Sequence, residues 1–498
     1  MKLKYLLSVA LAGSAALTGC KKEFLQARPT EFTTPEQLAE AAKQDPKLLS
    51  GSITGLYTTM FTVGVGGTTG HDDFGHKGID IYTDMLQSDM VLGALNYGWY
   101  SALARYQASV DFTRNENYVP WRYFYRQVLG ANTVIDALGG QDVVPTDATN
   151  KATMGQAKTM RAYAYFYLSQ LYAKEYGDGN TKILPIYTSA IQVNQPKSTA
   201  KEVWDLMVKD LTDAITLMDG FTRATKDQVD KNVAKGLLSY VLAARGSAAD
   251  WAQVKTLTQE IMTAYPKTTP SYLVYDGTNG STAGFNNVAA PSWMWGVDIT
   301  LAQGLDLISW WGQVDQFTYS YTWAGDPKPM DRGLYDAIRT DDIRKGQFRK
   351  PDQSFPLQPT SKFFAPARTS GGQRQVVTDL IYMRADEFYL LNAEAKARLG
   401  EEGAAKTALS TYLADRITDR TYIDGLSGQA LLNEIYLQTR IELWGEGKAY
   451  LAMKRNKANV VRGANHLFEV GNTIPYNDAK LTLTIPQAEI LNNPNLNK

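Results

Sequence analysis

The sequence predicts a mostly α-helical protein in which pairs of helices form the body and one long, loop-rich insertion interrupts them. Residues 121–265 form an almost unbroken run of amphipathic segments, and helical patterning returns in residues 384–454. Residues 266–379, between them, are rich in proline, glycine and aromatic side chains. With 44% apolar and 11% aromatic residues, the 498-residue chain can bury a large core.

Five helices are predicted in the first run: residues 121–138, 154–176, 201–218, 233–245 and 251–265. In the second helix, small and aromatic residues recur at three- and four-residue steps: Ala162, Tyr165, Phe166, Ser169 and Tyr172. This stripe should face a neighbouring helix. Thr199 and Glu202 form a capping box that opens the third helix. Helices of this length joined by short turns are typical of antiparallel pairs, as in tetratricopeptide-type solenoids, although the strict repeat consensus is absent.

Weaker patterns describe the rest of the chain. Thr34, Pro35 and Gln37 are typical of a helix start, residues 52–78 are loop-like, and residues 79–107 are helical with a break at 96–100. The later helices are predicted at residues 334–339, 384–399, 404–415 and 430–454. We expect an irregular tail after them.

The tryptophans divide into two groups by their sequence context. Those within helical patterns should be core residues: Trp121, Trp204, Trp251 and Trp444. The other six have a loop-like context: Trp99 and, in the insertion, which lacks a sustained helical period, Trp293, Trp295, Trp310, Trp311 and Trp323. A loop-rich stretch of this length is functional or disordered, and its aromatic content favours function.

The first twenty residues have the pattern of a bacterial lipoprotein export signal. Lys2 and Lys4 precede an apolar stretch at residues 5–17, which is too short to be a stable membrane span. The string at residues 17–20, Leu-Thr-Gly-Cys, resembles a lipobox ending at Cys20, the only cysteine. We therefore expect residues 1–19 to be a signal peptide and Cys20 to carry the lipid anchor.

The mature chain, residues 20–498, is interpreted as a single domain. Its parts are an N-terminal helical scaffold at 34–265, a loop-rich ligand-binding insertion at 266–380, and C-terminal helices with a tail at 381–498.

Several classes of function are disfavoured. Lysine plus arginine and aspartate plus glutamate both total 51, so no net charge attracts nucleic acid. No Gly-x-Ser-x-Gly string occurs, and the glycine-rich residues 64–70 lack the lysine of a phosphate-binding loop. Residues 71–76 contain two histidines and two aspartates without a recognised metal spacing. We therefore expect no cofactor, metal or catalytic residue. A glycosidase with paired carboxylates stays open as an alternative, because a chain with 51 acidic residues can supply such a pair.

Several sequence blocks resemble one family, the SusD/RagB-like outer-membrane nutrient-binding lipoproteins of Bacteroidota. The matching blocks are residues 161–168, 184–185, 210–214, 384–395, 440–447, 454–455, 485–486, 489–490 and 493–494. Four positions depart from the pattern: Gln438, Thr439, Tyr450 and Ala452. Charged residues of the later blocks should pair in the interior: Arg384, Glu387, Glu394, Arg440, Glu442 and Glu446.

The resemblance implies a SusD-like fold and a non-enzymatic role at the cell surface. Such a protein is lipid-anchored in the outer membrane, binds glycans and passes them to a partner TonB-dependent, SusC-like transporter. Some members bind peptides instead, so a peptide ligand is the close alternative. A polysaccharide hydrolase and a scaffold that binds only proteins are the rivals from other classes.

The ligand site is predicted to be an aromatic platform. It combines Tyr97, Trp99 and Tyr100, with Asn96 as a hydrogen-bonding neighbour, and insertion tryptophans: Trp310, Trp311 and Trp323. Gly98 would let the turn bend so that the rings project outward, and Trp99 is the leading candidate. The alternative is that these rings fill the space beneath a long loop.

Overall fold

The computed structural model describes Gln37, Glu40, Ala41 and residues 47–498. The export signal, Cys20 and the helix start at Thr34 lie outside the described residues. The helices are α1 Lys47–Thr59, α2 His76–Gln87, α3 Ser101–Ala104, α4 Gln107–Val110, α5 Asn115–Ala137, α6 Ala148–Tyr172, α7 Ala200–Leu217, α8 Lys231–Arg245, α9 Ala248–Ala264, α10 Pro270–Leu273, α11 Trp310–Val314, α12 Arg332–Ala337, α13 Asp386–Arg398, α14 Glu402–Leu413, α15 Gly428–Glu442, α16 Ala449–Asn456 and α17 Gln487–Asn492. Short 3₁₀ turns lie at Leu301–Gln303, Ile343–Gln347, Thr421–Gly425 and Ala479–Leu481.

Among the described residues, three small antiparallel sheets accompany the helices. Their strands pair as β1 Lys182–Pro185 with β2 Lys197–Thr199, β3 Trp293–Val297 with β4 Leu380–Arg384, and β5 Val460–Val461 with β6 Thr473–Ile474. In the part of the chain that the structure describes, no helix is long and apolar enough to cross a membrane.

Neighbouring helices in the sequence pack against each other through the body of the protein. α5 contacts α6, α6 contacts α7, α7 contacts α8, and α8 contacts α9. α9 then contacts α13, which contacts α14, so the helices before and after the insertion join directly. The predicted mostly α fold of packed helices with a long, loop-rich insertion is confirmed.

The helix starts follow local chemistry. The predicted capping box is present, because the Glu202 amide donates to the Thr199 hydroxyl and the Thr199 amide donates to the Glu202 carboxylate. Ser247 and Asp250 form the same arrangement before α9. α6 is buried along all of residues 152–172, not on one stripe only, because α5 and α7 both cover it. The four tryptophans expected in the core, at 121, 204, 251 and 444, are buried.

Two parts of the prediction were wrong. The stretch at 52–78 is not all loop, since α1 extends to Thr59 and α2 begins at His76. The helix expected at 430–454 is two helices, α15 and α16, with a break at 443–448. Gly445 and Gly447 have left-handed backbone there, and a Cβ on Gly447 would lie 2.3 Å from the Asp80 carboxylate. Only glycine allows this close approach.

Candidate functional site

The turn predicted at residues 96–100 exists and is sharply bent. Gly98 and Tyr100 have positive φ angles of 79° and 66°, so a left-handed residue lies on each side of Trp99. Glycine adopts this conformation freely, whereas for tyrosine it is strained and needs support from the surrounding structure.

That support comes from Asp326 in the insertion. Its carboxylate accepts hydrogen bonds from the backbone amides of Asn96, Tyr97 and Gly98 at 2.6, 2.8 and 3.2 Å. The Asn96 side-chain amide donates to the Gly325 carbonyl at 2.8 Å. Asn96 therefore fastens the turn to the insertion, in addition to any contact with a ligand.

Four rings meet at this turn and form what we call the aromatic cluster: Tyr97, Trp99, His71 and Tyr321. His71 stacks on Trp99 with ring centroids 5.0 Å apart and planes 2° from parallel. Tyr321 meets the edges of Tyr97 and Trp99 at 5.0 and 6.3 Å, and its hydroxyl hydrogen-bonds His71 Nδ1. Since each ring is braced by another, the cluster presents a rigid aromatic surface.

The rings of the cluster differ in exposure. Tyr97 is 54% exposed and Trp99 is partly exposed, whereas Tyr321 is buried beneath them. Tyr100 is 1% exposed and packs edge-on against Tyr82. Within the predicted turn, the outward projection of Tyr97 and Trp99 agrees with expectation, but Tyr100 points inward.

A groove of about 570 Å³ runs beside the turn. It is lined by Thr68, Thr69, Gly70, Asp72, Tyr97, Gly98, Trp99, Tyr100, Thr113, Arg114, Asn115 and Glu116. Apart from the rings, this lining consists mostly of hydroxyl, amide and carboxylate groups. An aromatic wall beside several hydrogen-bonding groups suits a hydroxyl-rich ligand with apolar faces.

Two adjacent aspartates near the groove have different roles, and Asp72 is the one that lines it. The Asp73 carboxylate accepts from the amides of Gly66 and Thr68 at 2.8 and 3.0 Å, which fixes the glycine-rich loop. Asp72 is 8% exposed. Burial, reinforced by the nearby Glu116, raises the pKa of Asp72 to about 6.

The placement of Trp310 and Trp311 on the binding surface is corrected by the structure. Each is 1% exposed, and the two rings pack against each other and against Phe363. The indole N–H of Trp311 donates to the Asp379 carbonyl at 3.2 Å. For these two rings the alternative explanation, filling space beneath the loop, is the correct one.

The buried tryptophans nevertheless anchor the helix that supports the cluster. α11 carries Gln313, whose side-chain amide donates to the His71 carbonyl at 2.7 Å. The Tyr321 amide donates to the Gly312 carbonyl of the same helix at 2.8 Å. Trp310 and Trp311 therefore hold α11 in the core, and α11 holds two members of the aromatic cluster.

The other insertion tryptophans lie elsewhere. Trp323 is 40% exposed and packs on Tyr319 at 5.4 Å, so it can extend the aromatic surface but is not in the cluster. Trp293 and Trp295 are buried in β3, which corrects their placement in a loop. Their strand was missed because its partner, β4, lies more than eighty residues later in the sequence.

His71, Tyr321 and Asp326 were not identified as site residues from the sequence. The sequence around His71 resembles at most an incomplete metal site, and Asp326 lies 230 positions from the turn that it holds. The aromatic run at residues 319–323 was the one available signal for Tyr321.

Comparison with known proteins gives consistent matches along the chain. A family model described as "Starch-binding associating with outer membrane" matches residues 73–242, and a model of the SusD family matches residues 349–498. SusD-like protein P25 of Formosa agariphila is 24% identical over 174 residues, which is 35% of this chain and 30% of that protein. The match thus spans less than a third of the relative's length.

Solved structures share the whole fold. A SusD-like carbohydrate-binding protein from Bacteroides vulgatus has a TM-score of 0.73 and 24% identity, covering 93% of this chain and 98% of its own. Surface glycan-binding protein A from Bacteroides thetaiotaomicron, solved with laminarihexaose, has a TM-score of 0.64 and 16% identity, covering 90% and 98%. The structural matches show a shared fold, and the two family models together match more than half of the chain: the chain belongs to the SusD/RagB-like family.

Proposed function

We propose that this protein is a non-catalytic, lipid-anchored glycan-binding protein of the outer-membrane surface, and that Tyr97 and Trp99 form its binding platform. The observation that carries the proposal is the braced, solvent-facing pair of rings beside a groove lined with hydroxyl and carboxylate groups. Aromatic faces stack on the apolar faces of sugars, while the polar lining bonds their hydroxyls.

The relatives support a glycan as the ligand. One family model is described as starch-binding and associated with the outer membrane, and one structural neighbour was solved with laminarihexaose. Peptides remain the alternative ligand class, because a tyrosine- and tryptophan-rich surface also suits them.

The binding experiment compares the wild-type protein with three variants on a panel of neutral glycans. Trp99→Ala and Tyr97→Ala remove the exposed rings, and Phe355→Ala removes a ring that is 48% exposed but outside the cluster. We expect isothermal titration to show weaker binding for the first two variants only. Retention of affinity in Trp99→Ala and Tyr97→Ala would contradict the platform.

The same incubations test the rival functions. Release of reducing ends by the wild type would show a hydrolase, in which Asp72 and Glu116 would be the carboxylates to examine first. Binding of a peptide library without glycan binding would favour the peptide alternative.

The transport role needs a partner protein. We propose that the protein delivers its ligand to a TonB-dependent, SusC-like transporter and is held at the membrane through Cys20. Purification of the native protein in mild detergent should recover a transporter-sized barrel, and Cys20→Ala should abolish incorporation of labelled fatty acid. Repeated recovery of the protein alone would argue against the partnership, and normal labelling of the variant would argue against the anchor.

A further inference from the structure

One residue of the groove lining, Tyr100, carries a buried hydroxyl group. Tyr100 lines the groove and is 1% exposed, yet its hydroxyl has no hydrogen-bond partner among the described residues. Buried polar groups are normally paired. An unpaired hydroxyl on a residue that lines a cavity is therefore a candidate for a hydrogen bond to a ligand.

Asp72 is a second buried polar residue of the groove, and its one side-chain donor among the described residues is distant. It lines the groove at 8% exposure, and the hydroxyl of Tyr82 reaches its carboxylate at the long distance of 3.5 Å. Tyr100 packs edge-on against the same Tyr82, and the charge of Asp72 acts on the Tyr100 hydroxyl. One carboxylate and one hydroxyl thus belong to residues that line the groove together with Trp99.

The groove lining carries more negative than positive charge. Asp72 and Glu116 are its two carboxylates, and Arg114 is its one cation among the described lining residues. The Arg114 guanidinium donates to the side-chain amide oxygen of Gln107 at 3.1 Å and lies 3.5 Å from the Asp111 carboxylate. Arg114 is therefore already engaged outside the groove.

We propose that Asp72 and Tyr100 form a hydroxyl-binding subsite beside Trp99 that accepts uncharged sugar units and rejects units bearing carboxylate or sulfate. The proposal rests on the proposed glycan-binding function and specifies its substrate class. A sugar hydroxyl can donate to Asp72 and exchange a hydrogen bond with Tyr100, which satisfies both groups. An anionic substituent would instead meet two carboxylates in a partly buried groove, and like charges are costly there.

The experiment uses ligands that share one backbone and differ in charge. Titrations of the full-length protein are made with neutral glucan and mannan oligosaccharides, including laminarihexaose, and with their C6-carboxylated and sulfated derivatives. For any backbone that is bound, the wild type should bind the charged derivatives at least about tenfold more weakly. The double variant Asp72→Asn, Glu116→Gln should remove most of this discrimination at low ionic strength.

Tyr100→Phe supplies a test that does not depend on charge. It removes only the unpaired hydroxyl, so the unliganded protein should melt at the same or a higher temperature, while affinity for the neutral ligand falls severalfold. A loss of stability without a loss of affinity would show that the hydroxyl serves the fold, which would overturn the subsite.

The outcomes separate the two proposals. Binding of no glycan, neutral or charged, overturns the glycan-binding function and the subsite with it. Equal binding of neutral and charged derivatives, tighter binding of the charged ones, or discrimination that persists in the double variant overturns the subsite and leaves the function standing.

Discussion

The groove beside Trp99 and the ionic cluster around Arg384 both contain carboxylates, but only the cluster pairs its carboxylates with several cations. In the cluster the Arg384 guanidinium bonds Glu442 at 2.9 Å and Glu446 at 2.8 Å, and Lys362 bonds Glu446 at 2.9 Å. In the groove the Asp72 carboxylate accepts from its own backbone amide and, at 3.5 Å, from the Tyr82 hydroxyl, and the nearby Glu116 is another acid.

As a result, the pKa values of the carboxyl groups in the two regions are shifted in opposite directions. Burial opposes the ionisation of Glu446, but the charges of Arg384 and Lys362 outweigh it and lower the pKa to about 2. Burial and Glu116 raise the pKa of Asp72 to about 6. Fully paired charges are characteristic of a structural core, whereas poorly paired groups beside a cavity mark a place where a ligand can complete the pairing.

The cluster also explains the motif charges seen in the sequence. Arg344 and Arg416 bond the same Glu442 carboxylate that Arg384 contacts. Arg440 pairs with Asp89, and Glu394 pairs with Arg455. The prediction that these charges pair in the interior is confirmed for five of the six residues. Their pairing connects β4 and α15 to distant segments of the chain. Glu387 instead accepts hydrogen bonds from the Tyr240 hydroxyl and the Arg384 backbone amide, and burial raises its pKa to about 7.

Breaking the cluster should produce the largest effect on stability. Arg384→Met leaves buried carboxylates without their partner, and we expect a loss of about 3–5 kcal/mol in the free energy of unfolding by denaturant titration. Arg332→Met is the matched control, because its partner Asp336 is 52% exposed and the change should stay within about 0.5 kcal/mol. Equal losses of unfolding free energy in the two variants would contradict the view that the buried ion pairs stabilise the fold more than the exposed one.

Two tryptophan variants sharpen the comparison between core and groove. Trp311→Ala should lower the unfolding free energy by about 3–5 kcal/mol, since it removes a fully buried ring. Trp99→Ala should cost about 1–3 kcal/mol of glycan-binding free energy, by analogy with base stacking on aromatic rings, and much less stability. Thermal melts and titrations on both proteins check this. A larger stability loss in Trp99→Ala than in Trp311→Ala would place Trp99 in the core.

Asp326 tests whether the turn must be held in place. Asp326→Asn keeps the shape but leaves one acceptor oxygen for three amide donors, so we expect a loss of about 1–2 kcal/mol in stability and weaker glycan binding. Asp336→Asn, at an exposed aspartate, serves as the control. Undiminished glycan affinity in Asp326→Asn would mean that the turn keeps its geometry without this carboxylate.

The smallest effects should appear in the pH dependence of stability, with opposite signs in the two regions. The pKa of Asp72 in the folded protein is raised from 3.8 to about 6. Its contribution to the free energy of unfolding is therefore greatest below about pH 4 and is lost as the pH rises through about 6. Because the pKa of Glu446 is lowered from 4.5, its contribution is present above about pH 4.5 and is lost as the pH falls towards 2.

Melting temperatures of the wild type, Asp72→Asn and Glu446→Gln across this range provide the measurement. The melting temperature of the wild type, relative to that of Asp72→Asn, should fall as the pH rises from about 4 to about 8. Relative to that of Glu446→Gln, it should increase as the pH rises from about 2 to about 5. The groups that face Asp72, namely Glu116, Asp73, Tyr82 and Tyr100, are unchanged in these variants. Parallel curves would contradict the opposite pKa shifts.

Local chemistry, which the sequence carries by itself, determined much of this protein. The period of apolar residues and the capping box at Thr199 and Glu202 predicted α7, because both signals lie within one helix and need no distant partner. The bend at Gly98 was predictable for the same reason: glycine adopts left-handed backbone without steric cost. The charged residues of the family motifs were expected to pair because a buried charge without a partner carries a large desolvation cost.

Only the tertiary structure decided which aromatic rings face the groove and which lie in the core. Trp99 and Trp311 are chemically identical side chains in similarly irregular sequence, and their exposure depends on what other segments pack over them. Phe363 and Trp310 cover Trp311, whereas His71 covers one face of Trp99 and leaves it on the groove. These contacts join residues far apart in the chain, as does the bond from Asp326 to the turn, and no local pattern encodes such pairings.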